Sequence, residues 1–344
     1  MNLEKRISSF AQLGEILRSG TNLPKAMEEA EKENAWFTRA NILKALSYWG
    51  EVLNQATLEQ WLEKYNPAIG NKTVSKRVGV IMAGNIPMVG FHDMLSVLLS
   101  GHHLIARLSS QDAILIPALV KILETFSPGW AERIEMTSGE IKKPEAIIAT
   151  GSNNTSRYFT YYFAKYPHII RKNRTAVAVL DGGETSNDLK GLTTDIFSYF
   201  GLGCRNVSKL YLPEGYDLKP LHKALLQYQE LFYHPKYRNN LDYYKSIYLV
   251  NRTRFLDGVF YLLIEAESLT TPVAVLHYEY YSDLNKVSSS LASQKEEIQC
   301  IVSRKKLFAE DHPCGVVGPG ETQQPSLSDY ADGVDTMEFL LEKI

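Results

Sequence analysis

The sequence predicts an α/β fold, and three observations carry that prediction. Short apolar runs such as Val78-Gly79-Val80-Ile81-Met82 and Thr175-Ala176-Val177-Ala178-Val179-Leu180 recur along the chain, each of a length suited to a strand buried on both faces. Segments of helical length separate these runs, the arrangement of βαβ units around a mostly parallel sheet. At 344 residues, 44% of them hydrophobic and 22% charged, the chain is long enough for a large core and two or more domains. A Rossmann-like domain in the first half, a second α/β domain and a C-terminal arm are the expected architecture.

Taken in order, residues 1–65 read as helices. Phe10, Leu13, Ile16 and Leu17 fall at helical spacing, and Trp36 through Leu62 keeps a similar period. Tyr65-Asn66-Pro67 with Gly70-Asn71 marks a break, although Asn71 lies outside the residues described below. Val78–Met82 is then a strand, and Pro87 through Leu99 a helix with proline near its first turn. Leu104–Ala106 is a strand, Asp112–Phe126 a helix, and Arg133–Met136 and Ala146–Ala149 are further strands. A helix over 153–165 and a fifth strand over 175–180 complete this half. Beyond Asp181-Gly182-Gly183 come a helix to about Phe200, a strand near Lys209–Leu212, and a tyrosine- and leucine-rich segment over 218–262. Strands at Val273–Tyr278 and Ile298–Ser303 flank a helix at Asp283–Ser293. From Cys314 the chain is Gly/Pro-rich and ends in a short helix, Met337–Lys343. The expected domains are 1–180 (helical N-terminus and Rossmann-like domain), 181–312 (the cysteine-bearing domain) and 313–344 (an arm, with oligomerisation one use for it).

Composition removes several function classes. A net charge of −2 supplies no bulk basic field, so a nucleic-acid partner is not expected. Three cysteines (Cys204, Cys300, Cys314) form no CxxC pair and read as free thiols of a reducing compartment. No run approaches the ~20 apolar residues of a membrane span. A cytoplasmic protein without a metal site is the expectation. Arg171-Lys172-Asn173-Arg174 and Arg304-Lys305-Lys306 are short basic clusters read as solvated faces.

Four stretches hold residues with chemical potential. Gly201-Leu202-Gly203-Cys204-Arg205-Asn206 places a thiol where a helical run gives way to a strand; glycine there permits close approach of backbone to ligand. A lone cysteine so placed suits either a nucleophile or a small buried hydrophobe. Ala149-Thr150-Gly151-Ser152-Asn153 follows a strand and opens a helix, which suits a phosphate or simply an N-cap at Ser152 or Asn153. Met82-Ala83-Gly84-Asn85-Ile86-Pro87 occupies a similar junction, where Asn85 either caps the helix or presents its amide to an oxyanion. Arg107, Ser109 and Ser110 end the next strand, where a guanidinium and two hydroxyls suit a ribose or phosphate, or a solvated strand end.

In this order and spacing, the motifs resemble the aldehyde dehydrogenase superfamily, and within it the LuxC-type acyl-CoA reductases, over residues 70–320. Gly84-Asn85-Ile86-Pro87 resembles the superfamily's W-N-[FY]-P element, which implies an oxyanion-hole role for Asn85. Gly101 through Arg107 is similar to its cofactor-contacting strand, with Arg107 in place of a lysine. Thr150-Gly151-Ser152 matches its F-T-G-S turn, Leu180-Asp181-Gly182-Gly183 its Glu-Leu-Gly-Gly, and Gly201-Leu202-Gly203-Cys204 its Gly-Gln-x-Cys. Glu267 to Pro272 is a looser match to E-x-F-G-P, which touches the nicotinamide ribose.

The resemblance implies that Cys204 is a nucleophile and that Arg107, Ser109, Ser110, Gly151, Ser152 and Glu267 line a nicotinamide cofactor. Leu180 stands where aldehyde-oxidising relatives have the glutamate that activates water, with Asp181 and Glu184 as nearby substitutes. Loss of that base points to reduction of a thioester rather than hydrolysis. Ser110, in place of a ribose-gripping glutamate, leaves room beside Arg107 for the 2′-phosphate of NADP, with NAD as the alternative. The implied function is NADPH-dependent reduction of acyl-CoA or acyl carrier protein to an aldehyde, by a homo-oligomer. The alternatives are cofactor-independent acyl transfer or thioester hydrolysis at Cys204, and a catalytically silent subunit of a biosynthetic complex.

Overall fold

Helices α1 (Leu3–Ser19), α2 (Pro24–Glu33), α3 (Arg39–Val52) and α4 (Gln55–Glu63) occupy the N-terminal region, as the periodicity predicts, whereas a short helix α5 (Asn66–Gly70) lies where the sequence predicts a break, its proline at the second position, where a missing N–H costs nothing. The apolar stripe of α1 buries Phe10, Leu13 and Leu17, and Phe10 meets Trp130 edge-on at 5.5 Å. Gly14 lets α1 approach the end of α3 closely: a Cβ there would lie 1.9 Å from the Leu53 carbonyl oxygen. Asn54 caps α4, accepting the Thr57 N–H at 2.9 Å. This computed structural model describes residues 1–19, 23–70, 74–304, 307–309 and 312–344.

The alternation then begins with β1 (Arg77–Ile81), α6 (Phe91–Leu99), β2 (His103–Arg107), α7 (Leu115–Phe126), β3 (Ile134–Thr137), β4 (Ala146–Thr150), α8 (Asn153–Phe163) and β5 (His168–Arg171). These five strands form one parallel sheet in the order β3-β2-β1-β4-β5. Parallel strands need covering on both faces, which is why β1 and β4 read as continuous apolar runs. From β1 the chain winds outward to β3, then crosses to the far side of β1 and winds out to β5. The direction of winding therefore reverses between β1 and β4.

A second sheet follows. Its elements are β6 (Thr175–Val179), α9 (Ser186–Phe197), β7 (Val207–Pro213), α10 (Leu218–Leu225), α11 (Pro235–Val250), β8 (Leu256–Asp257), β9 (Leu262–Glu265), β10 (Val275–Tyr281), α12 (Leu284–Ser293), β11 (Ile298–Val302) and β12 (Val316–Val317). The order is β12-β11-β6-β7-β10-β9-β8, parallel throughout except for the β8–β9 pair. Val177, Val179 and Ile301 of the sheet pack with Leu291 of α12 in a buried cluster. The chain closes with α13 (Thr336–Glu342). Among the described residues no helix is long and apolar enough to cross a membrane.

Two compact units result: Met1–Asn173 with Ser326–Ile344, and Arg174–Pro325. This differs from the expected boundaries in three ways. The run at 175–180 is not the first sheet's fifth strand but β6, at the heart of the second sheet, so the division falls at 173/174 instead of 180/181. The first sheet's fifth strand is β5, which the sequence reading missed because His168 and Arg171 give its ends a polar cast. The tail does not stand apart as a 313–344 arm. Residues 314–325 stay with the second unit and residues 326–344 join the first.

Buried polar contacts hold that tail in the first unit. The Tyr330 hydroxyl accepts the Trp61 indole N–H at 2.9 Å, and Tyr65 donates to the Asp335 carboxylate at 2.6 Å. The Leu340 carbonyl meets His102 Nε2 at 2.7 Å. Arg171, read from sequence as part of a solvated cluster, is buried; it pairs with the buried Asp93 of α6 and donates to Thr336 Oγ1 at 2.9 Å. A strand end that is polar in sequence is thus a buried ion pair joining β5, α6 and α13. Removing one partner of such a pair strands a charge away from water. Asp93→Ala is expected to destabilise the chain by about 3–5 kcal/mol in urea unfolding, well beyond a surface charge deletion.

Candidate active site

In the second unit Cys204 is half-buried, whereas Cys300 and Cys314 are buried. Cys314 is an inert packing thiol: its S–H reaches the Leu291 carbonyl at 3.3 Å, and burial pushes its pKa up. Cys204 sits between α9 and β7. Before it, Tyr199, Phe200 and Gly201 take φ values of +51°, +61° and +76° in succession. Glycine adopts this region freely, but for bulky aromatic residues it costs roughly 1–2 kcal/mol each and persists only where surrounding contacts impose it. Phe200 packs on His234 (4.4 Å between ring centres) and Tyr237 (6.0 Å), while Phe197 stacks among Tyr228, Phe260 and Tyr261.

The other imposing contact is Asn206. Its side-chain N–H₂ donates to the carbonyls of Asp195 (3.0 Å), Ile196 (3.3 Å) and Ser198 (2.9 Å), and its oxygen accepts the Gly203 N–H at 2.8 Å. One buried amide therefore satisfies the carboxyl end of α9 and fixes the start of the cysteine turn. The Asn206 N–H bonds the Gly203 carbonyl at 3.0 Å, so Gly203-Cys204-Arg205-Asn206 is a closed β-turn carrying the thiol near its tip. Nothing in the sequence reading singled out Asn206; an asparagine two residues past the cysteine was the available signal.

Leu180 does not stand beside Cys204, contrary to the position its motif implies. Leu180 follows β6, and its N–H bonds the Tyr211 carbonyl near the carboxyl end of β7. Cys204 precedes the amino end of β7, and β6 and β7 are parallel with Ala176 opposite Val207. Leu180, Asp181 and Glu184 thus lie at the opposite end of the strands from the thiol, about 15 Å or more away at ~3.3 Å per residue. No residue at position 180 can serve as base to Cys204, so a missing glutamate there is silent about the reaction. Asp181 and Glu184 form a separate cluster. Glu184 accepts the Asp181 N–H at 2.6 Å, Asp181 pairs with Arg304 at 3.4 Å, and burial raises the Glu184 pKa. Glu267 lies in the crossover between β9 and β10 with its side chain exposed; its main-chain carbonyl accepts the buried Lys209 ammonium at 2.6 Å.

In the first unit the other predicted residues converge on one end of the sheet. Gly84 and Asn85 follow β1, Arg107 to Ser110 follow β2, and Gly151 and Ser152 follow β4, all at carboxyl ends. That end, beside the β1/β4 reversal of winding, is where open α/β sheets form their binding crevice. Arg107, Ser110 and Ser152 are exposed. The capping alternative holds for Ser152, whose hydroxyl accepts the Thr155 N–H at 3.2 Å, and fails for Asn85, because α6 starts only at Phe91 with Gly90 as its N-cap. Gly151 answers a packing need, since a Cβ would meet Phe159 at 2.9 Å. Gly84 presses on Ser109, whose Oγ would lie 2.6 Å from a Cβ.

Asp112 pins the Asn85 loop from the neighbouring turn. Its carboxylate accepts the Met88 N–H at 2.7 Å, and Met88 holds a left-handed φ of +57°. Asp112 is only 5% exposed, and its second oxygen has no hydrogen-bond partner. Burial raises its pKa from 3.8 to about 6, against the pull of the Met88 and Leu115 N–H groups. From sequence it was only the start of a helix.

Solved structures share this architecture. Aldehyde dehydrogenase 21 from Physcomitrella patens, solved with the product succinate, superposes with a TM-score of 0.71 over 99% of this chain and 84% of its own, at 12% identity. The fold is that of the aldehyde dehydrogenases. A putative aldehyde dehydrogenase from Anabaena variabilis (TM-score 0.65, 11% identity, 98% of this chain and 86% of that one) agrees. So does a Mycobacterium tuberculosis aldehyde dehydrogenase complexed with NAD+ (TM-score 0.63, 12% identity, 92% and 77%). No family sequence model matches the chain, and no curated protein matches it by sequence.

Two measurements probe this version of the aldehyde dehydrogenase fold. Asn206→Asp keeps the side-chain shape but turns the three donated bonds into repulsion, so a loss of about 3 kcal/mol or more is expected in urea unfolding. Asp112 behaves in the opposite sense to a paired carboxylate. Its folded-state pKa is raised, so the stability it lends is complete below about pH 3.8 and is lost as pH rises through about 6. Comparing Asp112→Asn with the wild type from pH 4 to pH 8 should show the wild type falling behind by up to ~3 kcal/mol, most of it between pH 4 and pH 6.5.

Proposed function

We propose that the chain reduces an acyl thioester, acyl-CoA or acyl carrier protein, to an aldehyde with NADPH through a covalent acyl-enzyme on Cys204. The observation that carries this reading is the seat of the thiol. Cys204 is the half-buried cysteine of the three, on a closed turn behind three left-handed residues, in an aldehyde dehydrogenase fold. Strain held by an over-determined loop is a common mark of a working site.

On this reading the Cys204 thiolate attacks the thioester carbonyl, a C–S bond forms, and the carbonyl electron pair moves to oxygen. The backbone N–H of Cys204 is assigned to the oxyanion as one donor and the Asn85 amide as the other. Collapse expels the thiolate of CoA, or of the carrier's prosthetic arm, which takes up a proton and leaves an acyl group on Cys204. NADPH, when bound, supplies the hydride that takes this thioester to the aldehyde level. A second collapse frees the aldehyde and returns the Cys204 thiolate. Water attacking the acyl-enzyme would divert it to free acid.

The carboxyl-end crevice of the first sheet fits a dinucleotide by its donor set. Arg107 offers an exposed guanidinium, Ser109 and Ser110 hydroxyls, and Gly151 with Ser152 the start of α8. We assign the 2′-phosphate of NADP to Arg107. Ser110 brings no carboxylate to repel it, and the Asp112 carboxylate is turned to Met88 instead.

The test is NADPH consumption and aldehyde formation across a panel of acyl-CoA and acyl carrier protein substrates. Cys204→Ala should abolish both, and Asn85→Ala should lower kcat by roughly 10²–10³-fold. Full activity in Cys204→Ala overturns the assignment. Thiol release from acyl-CoA without NADPH, dependent on Cys204, would point to acyl transfer or hydrolysis.

A further inference from the structure

At the opposite end of the first sheet from that crevice, a buried positive charge has no carboxylate partner among the described residues. Arg6 of α1 is 7% exposed. A guanidinium has five N–H donors. Among the described residues, the one hydrogen bond Arg6 makes from its side chain is Nη1 to the Met1 carbonyl at 3.4 Å, and its Nε is buried without a partner. A second guanidinium approaches the same turn. Arg133, just before β3, donates to the Gly101 carbonyl at 2.9 Å, while Arg6 Nη1 lies against Gly101, where a Cβ would be 2.5 Å away. Gly101 has φ +90°, so the turn itself requires glycine, and the missing side chain is what admits Arg6.

The electrostatics are one-sided. Burial and the neighbouring Arg133 push the Arg6 pKa down to about 10, which still leaves it charged at neutral pH. Among the described residues neither guanidinium pairs with a carboxylate. The groups near the turn do not offset the charge: His103 is bonded through Nδ1 to the Glu132 carbonyl, and the side chains of Glu4, Lys5 and Glu132 are exposed. Elsewhere in this unit a buried arginine, Arg171, does have its aspartate. Uncompensated buried charge costs several kcal/mol, so a counter-ion is the expected remedy. Water can satisfy N–H donors but not the charge. A carboxylate neutralises one guanidinium, whereas a phosphate dianion neutralises two and accepts the forked donors of both.

We propose that Arg6 and Arg133, around the Gly101 turn, form a binding site for a phosphate dianion, separate from the cofactor crevice. The phosphate is either free in solution or part of a nucleotide. The site does not depend on the reaction proposed for Cys204, and its test reads no activity.

The experiment is a thermal-shift titration of the full chain at pH 7.5 and constant ionic strength. Sodium chloride, inorganic phosphate and adenosine 3′,5′-bisphosphate are the titrants. Inorganic phosphate is expected to raise Tm saturably where chloride does not, and Arg6→Met and Arg133→Gln are each expected to weaken its apparent affinity at least tenfold. Bisphosphate binding at least tenfold tighter than phosphate, and lost in the same variants, assigns the site to a nucleotide; equal affinity assigns it to free phosphate. Should Arg6→Met fail to fold, Arg133→Gln carries the comparison. A phosphate response no larger than that of chloride, or one undiminished in the variants, overturns the site.

Discussion

The local structure around the thiol depends on a single buried amide. A helix that stops inside a protein leaves carbonyls without partners, and α9 must stop abruptly for the chain to turn into β7. Asn206 takes three of those carbonyls and, through its own oxygen, holds the Gly203 N–H. With both ends of the segment fixed, the eight residues between Ser198 and β7 have little freedom, and Tyr199 and Phe200 are driven into the left-handed region. The aromatic contacts of Phe197 and Phe200 hold the outcome in place. Cys204 is thereby presented on a rigid turn, which suits a group that must form and break a bond without reorganising its surroundings.

Much of this was legible in the sequence, for identifiable reasons. Apolar runs such as Val177–Val179 and Ile147–Ala149, short and rich in β-branched residues, read as strands buried on both faces, and the helices between them follow from length and period. The positions of Gly84-Asn85, Arg107, Gly151 and Cys204 at strand–helix junctions were visible because glycine and polar residues interrupt apolar runs there. What escaped was mostly polar structure. β5 is bounded by His168 and Arg171, and the burial of Arg171 depends on Asp93 and Thr336, which lie 78 and 165 residues away. Which end of a strand a residue occupies likewise follows from pairing rather than composition. The Leu180 motif reads plausibly as a neighbour of Cys204 until the register of β6 against β7 places it at the far end.

Four buried charges show how differently one fold treats them. Asp93 and Arg171 neutralise each other inside the first unit. Asp112 is accommodated by a backbone N–H and an elevated pKa, so it sheds its charge in mild acid. Arg6 has neither remedy, because a guanidinium does not readily lose its proton. The same desolvation thus yields a structural pair, a titrating anchor and an unbalanced cation, according to what the neighbouring elements offer.

The route of the chain has a consequence for synthesis. Because residues 326–344 belong to the first unit, the whole of 174–325 is an insertion within it. On a ribosome the five-stranded sheet can be assembled long before Tyr330, Asp335, Thr336 and Leu340 emerge. Until they do, Arg171 lacks its Thr336 contact, His102 its Leu340 carbonyl, and Trp61 and Tyr65 their partners. The unit that begins first is completed last, so a nascent or prematurely terminated chain exposes its polar interior while the inserted unit is already whole.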